Sequence, residues 1–106
     1  MRPSRHVFVC TNTRDAEADM PSCGANGGAD LLASLLGERA RRGLYREIFI
    51  TETRCLGICP TAGATIVVYP EAVWYVGVSA RDAHELFEEH LVGGRPVARL
   101  RDPRLG

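Results

Sequence analysis

The sequence predicts an α/β fold, a central four-stranded mixed sheet with two main helices, in the order β-α-β and then β-β-α. Three observations carry this. A leucine stripe recurs at helical spacing between about Gly28 and Arg42. Two runs rich in β-branched and aromatic residues, 64–69 and 73–78, flank a three-residue connection and read as a hairpin. A second helical pattern then opens at Ser79.

Taken in order, His6-Val7-Phe8-Val9-Cys10 is a short apolar run that reads as a buried strand delivering Cys10 at its end. From Thr11 to Met20 the chain carries Arg14, Asp15, Glu17 and Asp19 with no apolar face, the pattern of an exposed loop. Pro21-Ser22-Cys23-Gly24 reads as a turn. The first helix begins near Gly28–Asp30 and runs to about Arg42, with Leu31, Leu32, Leu35 and Leu36 inward and Glu38, Arg39, Arg41 and Arg42 wet. Asp30 suits its positive end and the arginines its negative end, and Gly43 is the stop.

Tyr45 to Thr51 reads as the second strand, leading through Glu52-Thr53-Arg54 to Cys55. The hairpin follows, with Pro70-Glu71-Ala72 between its strands. In the second helix, Ser79 and Asp82 have the spacing of a capping box, with Asp in the place of Glu. Ala83, Leu86, Phe87, His90 and Leu91 form its apolar side, and Gly93-Gly94 ends it. Residues 95–106, with Pro96 and Pro103, read as a loosely packed tail. Strand–helix–strand followed by hairpin–helix is the thioredoxin-like plan.

At 106 residues the chain is a single domain, 1–106, too short for a second core. Thirteen basic side chains, all arginine, balance thirteen acidic ones, which argues against nucleic-acid binding or a membrane-surface role. No apolar run has the length of a membrane span or signal peptide, so the expected location is cytoplasmic, with no membrane insertion.

The chemistry lies in four cysteines, Cys10, Cys23, Cys55 and Cys59, paired as Cys-x12-Cys and Cys-x3-Cys. In a cytosolic chain four cysteines point to metal before disulfides; in a secreted one, two disulfides become the plain reading. Structural zinc favours two short knuckles, and only the second pair approaches that spacing. The Cys-x4-Cys-x2-Cys and Cys-x2-Cys-x2-Cys patterns of common ferredoxins are absent, as is the Cys-x2-Cys of a thiol oxidoreductase. Four soft thiolates suit a [2Fe–2S] cluster, and spacing alone puts iron–sulfur only modestly ahead of zinc. Gly24 and Gly57 beside the cysteines leave backbone N–H groups free to approach sulfur, and Pro60 stiffens the exit from the last one.

The segments His6-Val7-Phe8-Val9-Cys10-Thr11, Ser22-Cys23-Gly24, Cys55-Leu56-Gly57-Ile58-Cys59, Val67-Val68-Tyr69-Pro70 and Val73-Trp74-Tyr75 together resemble the thioredoxin-like [2Fe–2S] ferredoxins. The likeness spans roughly residues 5–100. It implies one [2Fe–2S] cluster per chain, with Cys10, Cys23, Cys55 and Cys59 as both cofactor-binding and metal-ligating residues. It also implies a one-electron carrier that is not an enzyme, a redox partner protein, and a homodimer.

The rival readings are a structural zinc-binding interaction module and an iron–sulfur cluster sensor or donor. His6, His84 and His90 are isolated from one another and read as ordinary surface or core histidines. Two helices are too few to cover both faces of four strands, so apolar sheet surface is expected to remain for a second subunit. Strand alternation puts Trp74 and Val76 on one face and Val73 and Tyr75 on the other. The expected dimer contact involves the Tyr69–Tyr75 hairpin, so that Trp74→Asp or Tyr75→Asp is expected to weaken it.

Overall fold

The computed structural model describes residues 4–11, 27–54 and 63–102. Four strands, β1 (Arg5–Cys10), β2 (Ile48–Thr53), β3 (Ala64–Tyr69) and β4 (Val73–Val78), form one sheet in the order β2-β1-β3-β4. β1 pairs parallel with β2 and antiparallel with β3, and β3 pairs antiparallel with β4. The sheet is therefore mixed, as expected. Parallel strands need a long crossover, and helix α1 (Ala29–Arg42) supplies it.

α1 ends where Gly43 takes a left-handed conformation, φ +66°, and its N–H reaches the Ala40 carbonyl. Its arginines are not the plain wet face expected. The carboxylate of Glu38, itself nearly buried, accepts hydrogen bonds from Arg41 at 2.8 Å and Arg42 at 3.1 Å, and Arg42 also reaches Glu88 at 2.7 Å. Arg39 lies over the Tyr45 ring. Tyr45 to Glu47 form a turn, so β2 begins three residues later than expected, at Ile48. An Ile48 N–H to Leu44 carbonyl bond of 3.0 Å closes that turn before pairing with β1 starts.

β3 and β4 have the expected bounds. The second helix, α2 over residues 80–92, changes pitch along its length. It runs from a 3₁₀ turn (Ala80–Asp82) through an α turn (Ala83–Glu85) into a π-helical segment (Leu86–Val92). At its start the Asp82 carboxylate accepts from the N–H and the hydroxyl of Ser79, at 2.9 and 3.2 Å. The wider π turns bring Leu86, Phe87, His90 and Leu91 all inward.

Leu31 and Leu35 of α1 and Leu86, Phe87 and Leu91 of α2 share one core cluster with Val7, Val9, Ile66, Val68 and Tyr75. Both helices therefore cover the same face of the sheet. The opposite face carries His6, Phe8, Phe49, Val67, Tyr69 and Trp74 by strand alternation and register. There the His6 ring stacks on Phe8 at 4.1 Å, while Phe49 and Tyr69 are 42% and 41% exposed.

The tail departs from expectation. Over its described part it is packed: Val97 and Leu100 are buried, a 3₁₀ turn forms at Ala98–Leu100, Arg101 bridges Tyr75, and Asp102 donates its N–H to the Trp74 carbonyl at 2.9 Å. It lies against the outer edge of β4. No described helix is long and apolar enough to cross a membrane.

Candidate metal centre

Of the four cysteines, Cys10 is described; Cys23, Cys55 and Cys59 lie outside the described residues, as do Asp15, Glu17, Asp19, Gly24, Gly57 and Pro60. Cys10 is the last residue of β1, a free thiol only 1% exposed, delivered by the run Val7-Phe8-Val9 as the sequence predicted. β1 is an inner strand, hydrogen-bonded on both sides. Its sulfur is thus carried on some of the firmest backbone in the molecule.

Topology places the remaining anchor points around this thiol. β2 runs parallel to β1, with Thr53 opposite Cys10, so the strand leading to Cys55 stops at the same end of the sheet. Polar contacts tie the two strand ends together. Thr11 N–H donates to the Thr53 carbonyl at 3.2 Å, and the Thr11 hydroxyl to Glu52 at 2.8 Å. The Thr53 hydroxyl donates to the Arg54 carbonyl at 2.8 Å, fixing the backbone just before Cys55.

β3 is antiparallel to β1, and Val9 pairs with Ile66, so Ala64 starts β3 at this end as well. Residues 55–62, which carry Cys55 and Cys59, therefore join two chain ends that both lie beside Cys10. Just after them, Gly63 has φ +72° and rests on the backbone of Gly77. From Tyr75 to Val78 β4 advances three residues while β3 advances two from Ile66 to Ala64, a bulge that puts Gly77, φ +69°, under Gly63.

The third anchor is α1. Fourteen residues of helix span about 21 Å and six of strand about 20 Å. A helix descending beside the sheet to reach the start of β2 thus has its first turn level with Cys10. Residues 12–26, which carry Cys23, connect that turn to the end of β1. The donor chemistry fits: a buried, unpaired thiol stands where both connections bearing the other thiols are tethered.

The histidines lie elsewhere. His6 hydrogen-bonds the Thr51 hydroxyl at 2.6 Å, and partial burial lowers its pKa. His84 is exposed beside Glu38. His90 is buried in a polar chain with Tyr75 and Glu71 that sequence reasoning missed. The available signal was a histidine among the inward positions of α2 facing a tyrosine at an inward position of β4. Tyr75 itself is a core residue, which corrects its expected place at a subunit contact; Trp74 is on the uncovered face.

No family model matches the chain. It is 36% identical over 100 residues to a 2Fe-2S ferredoxin from Clostridium pasteurianum, covering 94% of this chain and 97% of the relative. It is 36% identical over 101 residues to one from Aquifex aeolicus, covering 94% and 90%. Its fold is similar to the 1.5 Å crystal structure of the wild-type thioredoxin-like [2Fe-2S] ferredoxin from Aquifex aeolicus, with TM-score 0.87 and 35% identity. That match covers 93% of this chain and 96% of the other.

Proposed function

This chain belongs to the thioredoxin-like [2Fe–2S] ferredoxins, and on that basis we propose that it is a one-electron carrier holding one cluster on Cys10, Cys23, Cys55 and Cys59. When bound, a [2Fe–2S] cluster supplies a reversible one-electron couple. The chain's own part is to present thiolates, fix them and limit water. The observation that carries the assignment is the buried free thiol of Cys10 at the sheet end from which both cysteine-bearing connections depart. No described side chain is asked to form or break substrate bonds; the protein acts on a redox partner and is not an enzyme. Thiol ligands fit a reducing compartment, which supports a cytoplasmic location.

The uncovered aromatic face supports a homodimer. His6, Phe8, Phe49 and Tyr69 are joined there by stacked and edge-on ring contacts, Trp74 shares the face, and no helix of the core cluster packs on it among the described residues. A twofold pairing through this face is self-complementary and leaves each cluster within its own chain.

Anaerobically purified protein is expected to be red-brown, with iron and acid-labile sulfide each at about two per chain and an EPR signal on reduction. Cys10→Ala is expected to abolish the colour. Colourless wild-type protein with stoichiometric zinc would refute the assignment, and slow loss of iron to an acceptor in place of fast reversible reduction would turn it into a cluster donor.

A further inference from the structure

A chain of polar groups runs from the sheet end opposite Cys10 into the core and ties five segments together, reaching Tyr75, whose backbone is level with Val9 through Ile66. Glu71, in the β3–β4 connection, accepts from Arg5 of β1 at 2.9 Å and lies 3.1 Å from Nε2 of His90 on α2. Nδ1 of His90 is 2.7 Å from the Tyr75 hydroxyl of β4, which also receives the Val97 N–H of the tail at 2.9 Å. Tyr75 and the His90 side chain are fully buried.

With the Glu71 carboxylate able only to accept, a neutral His90 leaves one assignment. An amide N–H only donates, so the Tyr75 oxygen accepts from Val97 and its single hydrogen goes to Nδ1 of His90. His90 then carries its proton on Nε2 and donates it to Glu71. Every group is satisfied, provided His90 is neutral. A second proton on Nδ1 would face the hydroxyl hydrogen of Tyr75, which would have to turn away while the oxygen still holds Val97. The far side of that bond is the tail, which is also held by the burial of Val97 and Leu100, by contacts of Arg101 and Asp102 that include the bridge to Tyr75 and the N–H bond to Trp74, and by ion pairs of Arg99 with Asp82 and Glu85.

We propose that Tyr75, His90 and Glu71 form a proton-operated latch: neutral His90 holds residues 97–102 on β4, and protonation of His90 releases them and uncovers the outer edge of that strand. An uncovered strand edge is a template for pairing with another chain. The groups around His90 act in both directions. Burial opposes its charge most, Glu71 favours it, and Arg5 and Arg101 oppose it, leaving its pKa below the ordinary 6.5. In the released state it returns towards 6.5. The closed state is therefore fully favoured above that pH and loses ground as pH falls through it, by up to about tenfold per unit for one proton. The loss stops once the pH is below the closed-state value.

The test is amide exchange of residues 97–102 in the full cluster-loaded protein, corrected for intrinsic rates, at pH 7.5 and 5.5. Trp74, whose carbonyl holds Asp102, is the only tryptophan and gives a parallel fluorescence signal. Opening in the wild type should rise between pH 7.5 and 5.5, by at most about tenfold. The visible spectrum should not change, because the latch contains none of the four cysteines and β4 stands two strands away from β1. His90→Asn should show the same opening at both. Tyr75→Phe, which removes the acceptor of the Val97 N–H, should raise opening already at pH 7.5. Equal protection of the wild-type tail at both pH values would overturn the proposal. So would a pH response that persists in His90→Asn, or unchanged protection in Tyr75→Phe. None of these outcomes depends on what the cysteines bind.

Discussion

Replacing Gly63 by alanine should be among the most damaging single-methyl additions to this protein. Two separate costs combine there. Gly63 has φ +72°, a region where an L residue is disfavoured by roughly 1–2 kcal/mol. The added Cβ would also sit 2.3 Å from the carbonyl carbon of Gly77 and 2.6 Å from its Cα, both backbone atoms that cannot rotate aside. Relieving such a clash means shifting β3 or β4 at the bulge, which costs about 1–3 kcal/mol by analogy with overpacked cores. The sum, about 2–5 kcal/mol, is a large part of the roughly 5–15 kcal/mol expected for a domain. Gly43 provides the control. It has a similar φ, +66°, but an added Cβ there meets nothing within 4 Å. Gly43→Ala should therefore show the conformational cost alone, and the difference between the two variants isolates the clash. Urea unfolding followed by circular dichroism gives both numbers. If Gly63→Ala is no less stable than Gly43→Ala, to within about 0.5 kcal/mol, the close approach of the two glycines is wrong.

Two further outcomes follow from side-chain environments. Burial works against the charge of Glu38, but hydrogen bonds from Arg41 and Arg42 outweigh it and hold its carboxyl below the ordinary 4.5. Its stabilisation is thus present above that pH and lost as pH falls below it. Glu38→Gln should cost about 1 kcal/mol at pH 7, a modest figure because Arg41 is mostly exposed, and the gap should narrow as pH falls below 4.5 in urea titrations. Trp74→Asp, on the uncovered sheet face, should weaken the dimer by about 2 kcal/mol, roughly thirtyfold, in sedimentation runs while sparing the visible spectrum. A wild-type monomer at micromolar concentration would refute the dimer.

Where a segment's structure depends on its own pattern, the sequence was enough. The hairpin strands alternate inward and outward residues between turn-forming ends, and both have the predicted bounds. The leucine stripe and Gly43 did the same for α1. Reading failed where a distant partner decides. Tyr45 has strand propensity, but its ring is taken by Arg39 and the strand starts only where β1 offers hydrogen bonds. Glu38 looked wet because its arginines were assigned to solvent one by one. Val97 and Leu100 have no periodicity, and their burial depends on Tyr75 and the edge of β4. The cysteines were conspicuous as a spaced set, whereas Arg5, Glu71, Tyr75, His90 and Val97 share no local pattern and meet only through the topology.

That topology also explains why a small chain can hold two demanding polar sites. β1 begins with Arg5 in the polar chain and ends with Cys10, the proposed cluster ligand, about 17 Å further along the central strand. Between the two ends, Val7 and Val9 are fully buried in the core shared by both helices. The ends of β1 and β2 are fastened together beside Cys10, while Arg5 and Glu71 of the polar chain meet towards the opposite end. The mixed sheet is what permits it, because the parallel β1–β2 pair gathers strand ends at Cys10 and the antiparallel hairpin turns at the other end, where Glu71 meets His90.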